Sequence, residues 1–269
     1  MEQISLFISL PFQKDGTEAA FPGRVRDFRA PELDRYLEAL EREIRSAGAG
    51  TEDCEVASLC FGFGSFCHIP ADSLTALYSL VGSCFRLSRE AAVSLCASPR
   101  GFDFFRLSAA KQLHQAQIRF LTPCIQDEGL REAGFGTAAD LLAALDVCFQ
   151  AGYHRFVCVV SPACHPTEAS LAETLTALLQ KSPEGIVFDA PLSAVQRESA
   201  ARILAPRYTE GPTGWFLPGR EPARAPEEQI GCGLGAVTRL GGITVRNTTD
   251  FDFYCEHAED FELIAKPTE

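Results

Sequence analysis

Two dipeptides in this sequence of 269 residues set a thiol beside an imidazole, Cys67-His68 and Cys164-His165. Thiolate and neutral imidazole are good ligands for zinc and for iron. Joined by Cys60 or Cys158, either pair could make a zinc-like or haem-iron site. Neither pair has finger-like spacing, and in a chain with eleven cysteines such neighbours arise by chance. The commoner role for these thiols is packing. Cys60, Cys96, Cys124, Cys148 and Cys158 lie inside apolar runs, as expected of reduced, buried cysteines in a reducing compartment. The run "GCGLGA" (231–236) looks like a dinucleotide loop. It lacks the second gap of G-x-G-x-x-G and does not sit in a βαβ unit, so tight turns are the better reading.

Short apolar runs alternate with amphipathic stretches, and these must position the candidates. Strands are expected at 3–10, 55–62, 91–98, 118–124, 155–161 and 185–190. Helices are expected at 30–47, 71–85, 104–117, 137–152 and 168–182. The first carries Leu33, Leu37, Leu40 and Ile44 on one face. Thr137 is the expected N-cap of the fourth, and Gly152 its stop. Apolar strands alternating with helices imply a parallel sheet covered by helices. Six such units are fewer than the eight of a closed barrel. From about 205 the pattern breaks: 205–229 reads as irregular, 230–247 as Gly-rich turns and short strands, and 250–261 as a last helix. Trp215 and Phe216 read as a packing anchor, and His114 as a surface residue.

Composition limits the partners. Lys and Arg number 24 against 36 Asp and Glu, a formal charge of -12. Such a surface repels a phosphate backbone, so no nucleic-acid partner is expected. No run reaches the roughly 20 apolar residues of a membrane span. The N-terminus lacks a basic region followed by an apolar run, so no membrane contact and a cytoplasmic location are expected.

The order of motifs resembles the radical S-adenosylmethionine (SAM) proteins of the oxygen-independent coproporphyrinogen III oxidase and haem chaperone group, over about residues 3–255. Five stretches carry the resemblance: "LFISLPF" (6–12), "LCFGFGSFCHIPADSL" (59–74), "VSLCASP" (93–99), "IRFLTPCIQDEGLREAGFGTAADLLAAL" (118–145) and "IGCGLGAVTRLGGITVRNTTDFDFY" (230–254). The resemblance implies a partial (β/α)6 TIM-like barrel, 1–204, with an irregular C-terminal extension, 205–269, packed on it. The C-terminal accessory domain of many members is not expected here.

Proteins of this group hold a four-iron cluster with three cysteines in C-x3-C-x2-C, because thiolates are soft anionic ligands that match iron. Counted from Phe12, the corresponding residues are Gln13, Thr17 and Ala20, none of them a competent iron ligand. The Gly-rich turn that lets backbone approach SAM reads Gly62-Phe63-Gly64. The resemblance sets Cys96 where the family has a Glu, Phe135 where it has an Arg, and Cys158 where it has an Asp. Around the SAM pocket the resemblance thus implies polar groups exchanged for apolar ones.

No catalytic residue, no metal, no iron-sulfur cluster and no bound SAM are therefore expected, with haem or porphyrin remaining as a ligand. Arg100, Arg106, Arg119, Arg207, Arg220, Arg224 and Arg239 are cations that could meet tetrapyrrole propionates. Three functions follow: a non-catalytic binding or regulatory protein whose ligand is a tetrapyrrole or a protein partner; an enzyme with repurposed chemistry using His68, Cys164, His165 and Asp189; or a structural partner of an active relative.

Overall fold

The computed structural model describes residues 2–13, 26–27, 30–132, 136–212, 214–220 and 225–267. In chain order the elements are β1 (Glu2–Ser9), β2 (Phe12–Gln13), β3 (Arg26–Asp27), α1 (Ala30–Ala49), β4 (Cys54–Gly62), α2 (Ala71–Cys84), β5 (Leu87–Ala97), α3 (Phe104–Gln112), β6 (Gln117–Leu121), α4 (Asp127–Glu132), α5 (Ala138–Gln150), β7 (Phe156–Val160), α6 (Glu168–Leu179), β8 (Gly185–Phe188), α7 (Ala194–Leu204), β9 (Thr209–Gly211), β10 (Gly214–Phe216), β11 (Gln229–Cys232), β12 (Val237–Leu240), β13 (Ile243–Asn247), α8 (Phe251–His257), α9 (Phe261–Ile264) and β14 (Ala265–Pro267). Single 3-10 turns span Phe66–His68 and Pro162–Cys164. Among the described residues no helix is long and apolar enough to cross a membrane.

The chain divides into two compact units: Met1–Cys96 with Lys111–Ala116 and Arg224–Glu269, and Ala97–Ala110 with Gln117–Ala223. In the first unit the strand order is β14-β13-β12-β11-β1-β4-β5. β11, β1, β4 and β5 run parallel, and β11 to β14 form an antiparallel meander. In the second unit the order is β6-β7-β8-β10-β9, with β6, β7 and β8 parallel and the short β9–β10 pair antiparallel. Neither row of strands closes on itself. All six expected parallel strands are present, and β11 adds a seventh beside β1.

In the first unit the two faces of the sheet differ. Ile4, Leu6, Ile8, Leu59, Phe61, Val93 and Leu95 are buried on one face, where α1 contributes Leu33, Leu37, Leu40 and Ile44, all buried. Removing such side chains from water supplies about 25 cal/mol per Å² of apolar surface. The other face carries Ser and Cys side chains and Phe7. Register pairs Ser5 with Ser58, Phe7 with Cys60, and Cys60 with Ser94. Phe7, Ser58, Cys60, Ser94 and Cys96 are only half-buried. The strands expected to be apolar throughout thus carry serines on one face, where the side chains are less buried.

Boundaries differ from expectation for local reasons. α3 ends at Gln112, five residues early, because His114 and Gln115 adopt positive φ, 52° and 51°; His114 is exposed in this turn. β5 starts at Leu87 rather than 91. α7 was not anticipated, and neither were β9 and β10 inside the stretch read as irregular. Thr137 caps α5 as expected: its hydroxyl accepts from the Asp140 N–H while Asp140 accepts from the Thr137 N–H. Gly152, with φ 62°, follows its last turn. Trp215 and Phe216 are buried, Phe216 against Val157 and Val187, in keeping with packing. All eleven cysteines are free thiols. Cys124, Cys148 and Cys158 are buried as expected, whereas Cys60 and Cys96 are half-buried.

Candidate functional site

The C-terminal ends of β1, β4 and β5 bring Gly62, Phe63 and Cys96 together. A Cβ on Gly62 would stand 2.8 Å from the Phe7 ring and 3.4 Å from Cys96 Sγ. A Cβ on Gly64 would stand 2.3 Å from the Leu10 carbonyl oxygen and 2.6 Å from that of Phe12. The turn therefore lies directly on the chain leaving β1, tied by Leu10 N–H to Gly62 O (2.7 Å) and Ser65 N–H to Phe12 O (3.2 Å). Phe63, between the glycines, has φ 73°, the left-handed region that L side chains avoid. Its ring packs edge-on against Phe7, centroids 5.1 Å apart and planes at 83°. The backbone keeps a glycine's conformation, and an aromatic side chain occupies the space a glycine would leave open.

The remaining sequence candidates are scattered. Gln13 sits on β2, paired in register with Asp27; Thr17, Ala20 and Phe135 lie outside the described residues. Cys67 is buried in the 3-10 turn, whose N-cap Ser65 accepts from the Cys67 N–H at 3.2 Å. His68 beside it is half-buried.

In the second unit Cys164 is exposed and His165 buried. His165 Nε2 meets the Pro123 carbonyl at 3.0 Å, while Nδ1 has no hydrogen bond. Burial lowers its pKa, which favours neutral imidazole with Nε2–H donating. Asp189 at the end of β8 is raised by partial burial, opposed by a hydrogen bond from Ser161. Cys158 is fully buried, and burial pushes its thiol well up. It shares its side of the sheet with Phe120, its register partner, and the Cys148 thiol adds to the shift. That is the helix-covered side, away from Arg119 and Val157. Among the described residues no three of His, Cys, Asp and Glu gather where a metal could sit.

One polar group of consequence was missed. Glu43 on α1 is 4% exposed, and its carboxylate accepts from the Gly233 N–H (2.7 Å), the Asn247 amide (2.6 Å) and the Tyr254 hydroxyl (2.5 Å). Beside it Tyr36 donates to the Ser9 carbonyl (2.8 Å) and accepts from the Leu234 N–H (3.2 Å). A Cβ on Gly233, whose φ is 102°, would come within 2.5 Å of the Tyr36 hydroxyl. Burial raises the Glu43 carboxyl to about 7, although its three donors pull the other way. The network ties the "GCGLGA" turn and the "N…Y" tail to α1. Glu43 lies seven residues after Tyr36 and three after Leu40, on the buried stripe of the helix, and that spacing was the available signal.

The fold is that of a radical SAM enzyme. The solved coproporphyrinogen III oxidase of Escherichia coli, described as a radical SAM enzyme, matches 100% of this chain and 72% of its own, with a TM-score of 0.81 at 16% identity. The chain is related in sequence to the oxygen-independent coproporphyrinogen III oxidases. Those of Salmonella typhimurium and Salmonella typhi are each 25% identical to it over 149 residues, 51% of this chain. The match spans 33% of the length of those curated relatives. No family model matches the chain.

Proposed function

We propose that this chain is a non-catalytic relative of the coproporphyrinogen III oxidases, one that acts by binding rather than by radical chemistry, with a tetrapyrrole such as haem or porphyrin as its ligand. The observation that carries the reading is Phe63. At the turn where backbone would approach SAM, its ring stands against Phe7 while the backbone keeps a positive φ of 73°. The donor set supports it. A four-iron cluster left open at one iron needs three thiolates. The first cysteine in the sequence is Cys54, and no three of the eleven fall in C-x3-C-x2-C. The residues present do not fit the cluster. The tetrapyrrole is suggested by the substrate in the relatives' names and by the uncharged face of Phe7, Cys60 and Cys96 beside the turn.

Anaerobic reconstitution with iron and sulfide, beside titrations with haem and with SAM, tests the reading. Saturable haem binding with no stoichiometric iron and no SAM affinity is expected. Uptake of about four irons per chain together with 5′-deoxyadenosine formation would overturn it. If haem and SAM both fail to bind, the tetrapyrrole falls and a protein partner takes its place.

A further inference from the structure

A second site lies in the first unit, away from the Gly62–Gly64 turn. A pocket of about 230 Å³ opens between the end of α1, the strands β11 and β12, and the α8–α9 corner. This is below the roughly 300–1,000 Å³ of pockets for drug-sized ligands, so its occupant is small. Ala47, Leu240 and Phe261 give it an apolar wall, and the residues lining it include two acids, Glu43 and Glu259, and no Lys, Arg or His. Glu259 is already bound by Arg42, Nε to carboxylate 2.8 Å. Glu43 has no such counter-ion. Its three partners are the neutral donors of Gly233, Asn247 and Tyr254, and no basic group contributes to its electrostatics. Oε1 accepts only from Asn247, which leaves it a lone pair. The other polar lining groups are satisfied within the protein: Ser46 donates to the Glu259 carbonyl, Thr51 to those of Ala47 and Gly48, and Thr238 bonds Gly231.

A buried carboxylate without a cation is costly, and a pocket lined by it repels anions. We propose that this pocket binds a small amine, an ammonium group on an apolar body, with the ammonium donating to Glu43 and the body against Ala47, Leu240 and Phe261. An ammonium supplies the missing charge through a charge-assisted hydrogen bond, and the apolar wall selects the rest. The site is independent of the function proposed above, because it uses neither the Gly62–Gly64 turn nor a tetrapyrrole.

Ligand-observed NMR and calorimetry on the full chain, with benzylamine, benzyl alcohol and benzoate as shape-matched cation, neutral and anion, test the assignment. Benzylamine is expected to bind saturably and about tenfold more tightly than benzyl alcohol, the difference charge assistance makes. Benzoate is expected not to bind. Going from about pH 8 to about pH 6 should weaken benzylamine roughly tenfold as Glu43 takes up its proton. Glu43→Gln should abolish the preference for amine over alcohol. Ala47→Leu, which fills the pocket and leaves the carboxylate network untouched, should abolish binding of both. Equal affinity for amine and alcohol, absence of saturable amine binding, or amine binding unchanged in Ala47→Leu would each overturn the proposal.

Discussion

Replacing Phe63 by glycine and by alanine separates what its ring contributes from what its backbone costs. Both changes remove a half-buried ring, a loss of about 1 kcal/mol of burial, and the edge-on contact with Phe7, worth about 0.5–1.5 kcal/mol more. Phe63→Ala keeps a Cβ in the left-handed region and should be destabilised by about 1.5–2.5 kcal/mol. Phe63→Gly relieves about 1–2 kcal/mol of that backbone strain and costs about 0.5–1 kcal/mol in chain entropy. Glycine should therefore come out more stable than alanine by about 0.5–1 kcal/mol, the reverse of their order in an ordinary strand or helix. With an m-value of about 2 kcal/mol/M the gap is about 0.25–0.5 M in the urea midpoint. Far-UV circular dichroism is the suitable probe, because the single tryptophan, Trp215, belongs to the second unit. Alanine as stable as glycine, at equal m, would show that residue 63 is not held at positive φ, and the argument for a preserved turn around an intruding ring would fall. Neither variant should gain iron on reconstitution, since both still lack the thiolates.

Three other outcomes are expected. The Glu43 carboxyl is raised from 4.5 to about 7 on folding, so the folded state holds its proton to higher pH than the unfolded state. Its contribution is fully present below about pH 4.5 and is lost as pH rises to about 7, on the order of 3 kcal/mol in all; Glu43→Gln should flatten that slope in urea titrations across the window. Gly64→Ala drives a Cβ against the Leu10 and Phe12 carbonyls, backbone that cannot swing aside, and should cost about 3 kcal/mol in the same assay. Thr137→Ala removes half of the capping box of α5 and should lower stability by about 1 kcal/mol, read from the thermal midpoint.

What the sequence revealed followed the strength of each local signal. The strands of both units stand out as runs of Val, Leu, Ile and Phe, and α1 as a regular apolar stripe. α7 escaped because its apolar side is thin: Ala200 and Leu204 are buried, whereas Val195 faces solvent. Its start was nonetheless written in Ser193 and Gln196, which form a capping box. Glu43 escaped for the opposite reason. A charged residue in an amphipathic helix is ordinarily solvated, and only donors about 190 to 210 residues further on, Gly233, Asn247 and Tyr254, make burial tolerable here. No local pattern foretells partners so distant. Cys158 shows the same limit, because sequence order places it on a strand and only register decides which face it takes.

The Gly62–Gly64 turn is held by contacts within the first unit. Gly64 is required by the approach of the Leu10 and Phe12 carbonyls, and Gly62 is favoured by the close Phe7 ring. Those constraints are internal to the first unit and hold with or without a cofactor. Position 63 differs, since its side chain leaves the turn on the half-exposed side and meets Phe7. A residue there can grow without disturbing the strands, at the cost of a strained φ that the glycines and the Leu10–Gly62 and Ser65–Phe12 hydrogen bonds hold in place. The glycines of the turn are thus bound to the fold, whereas the side chain of residue 63 is not. A chain that works without the cofactor, as proposed above, would be expected to keep the glycines and to vary at the other positions.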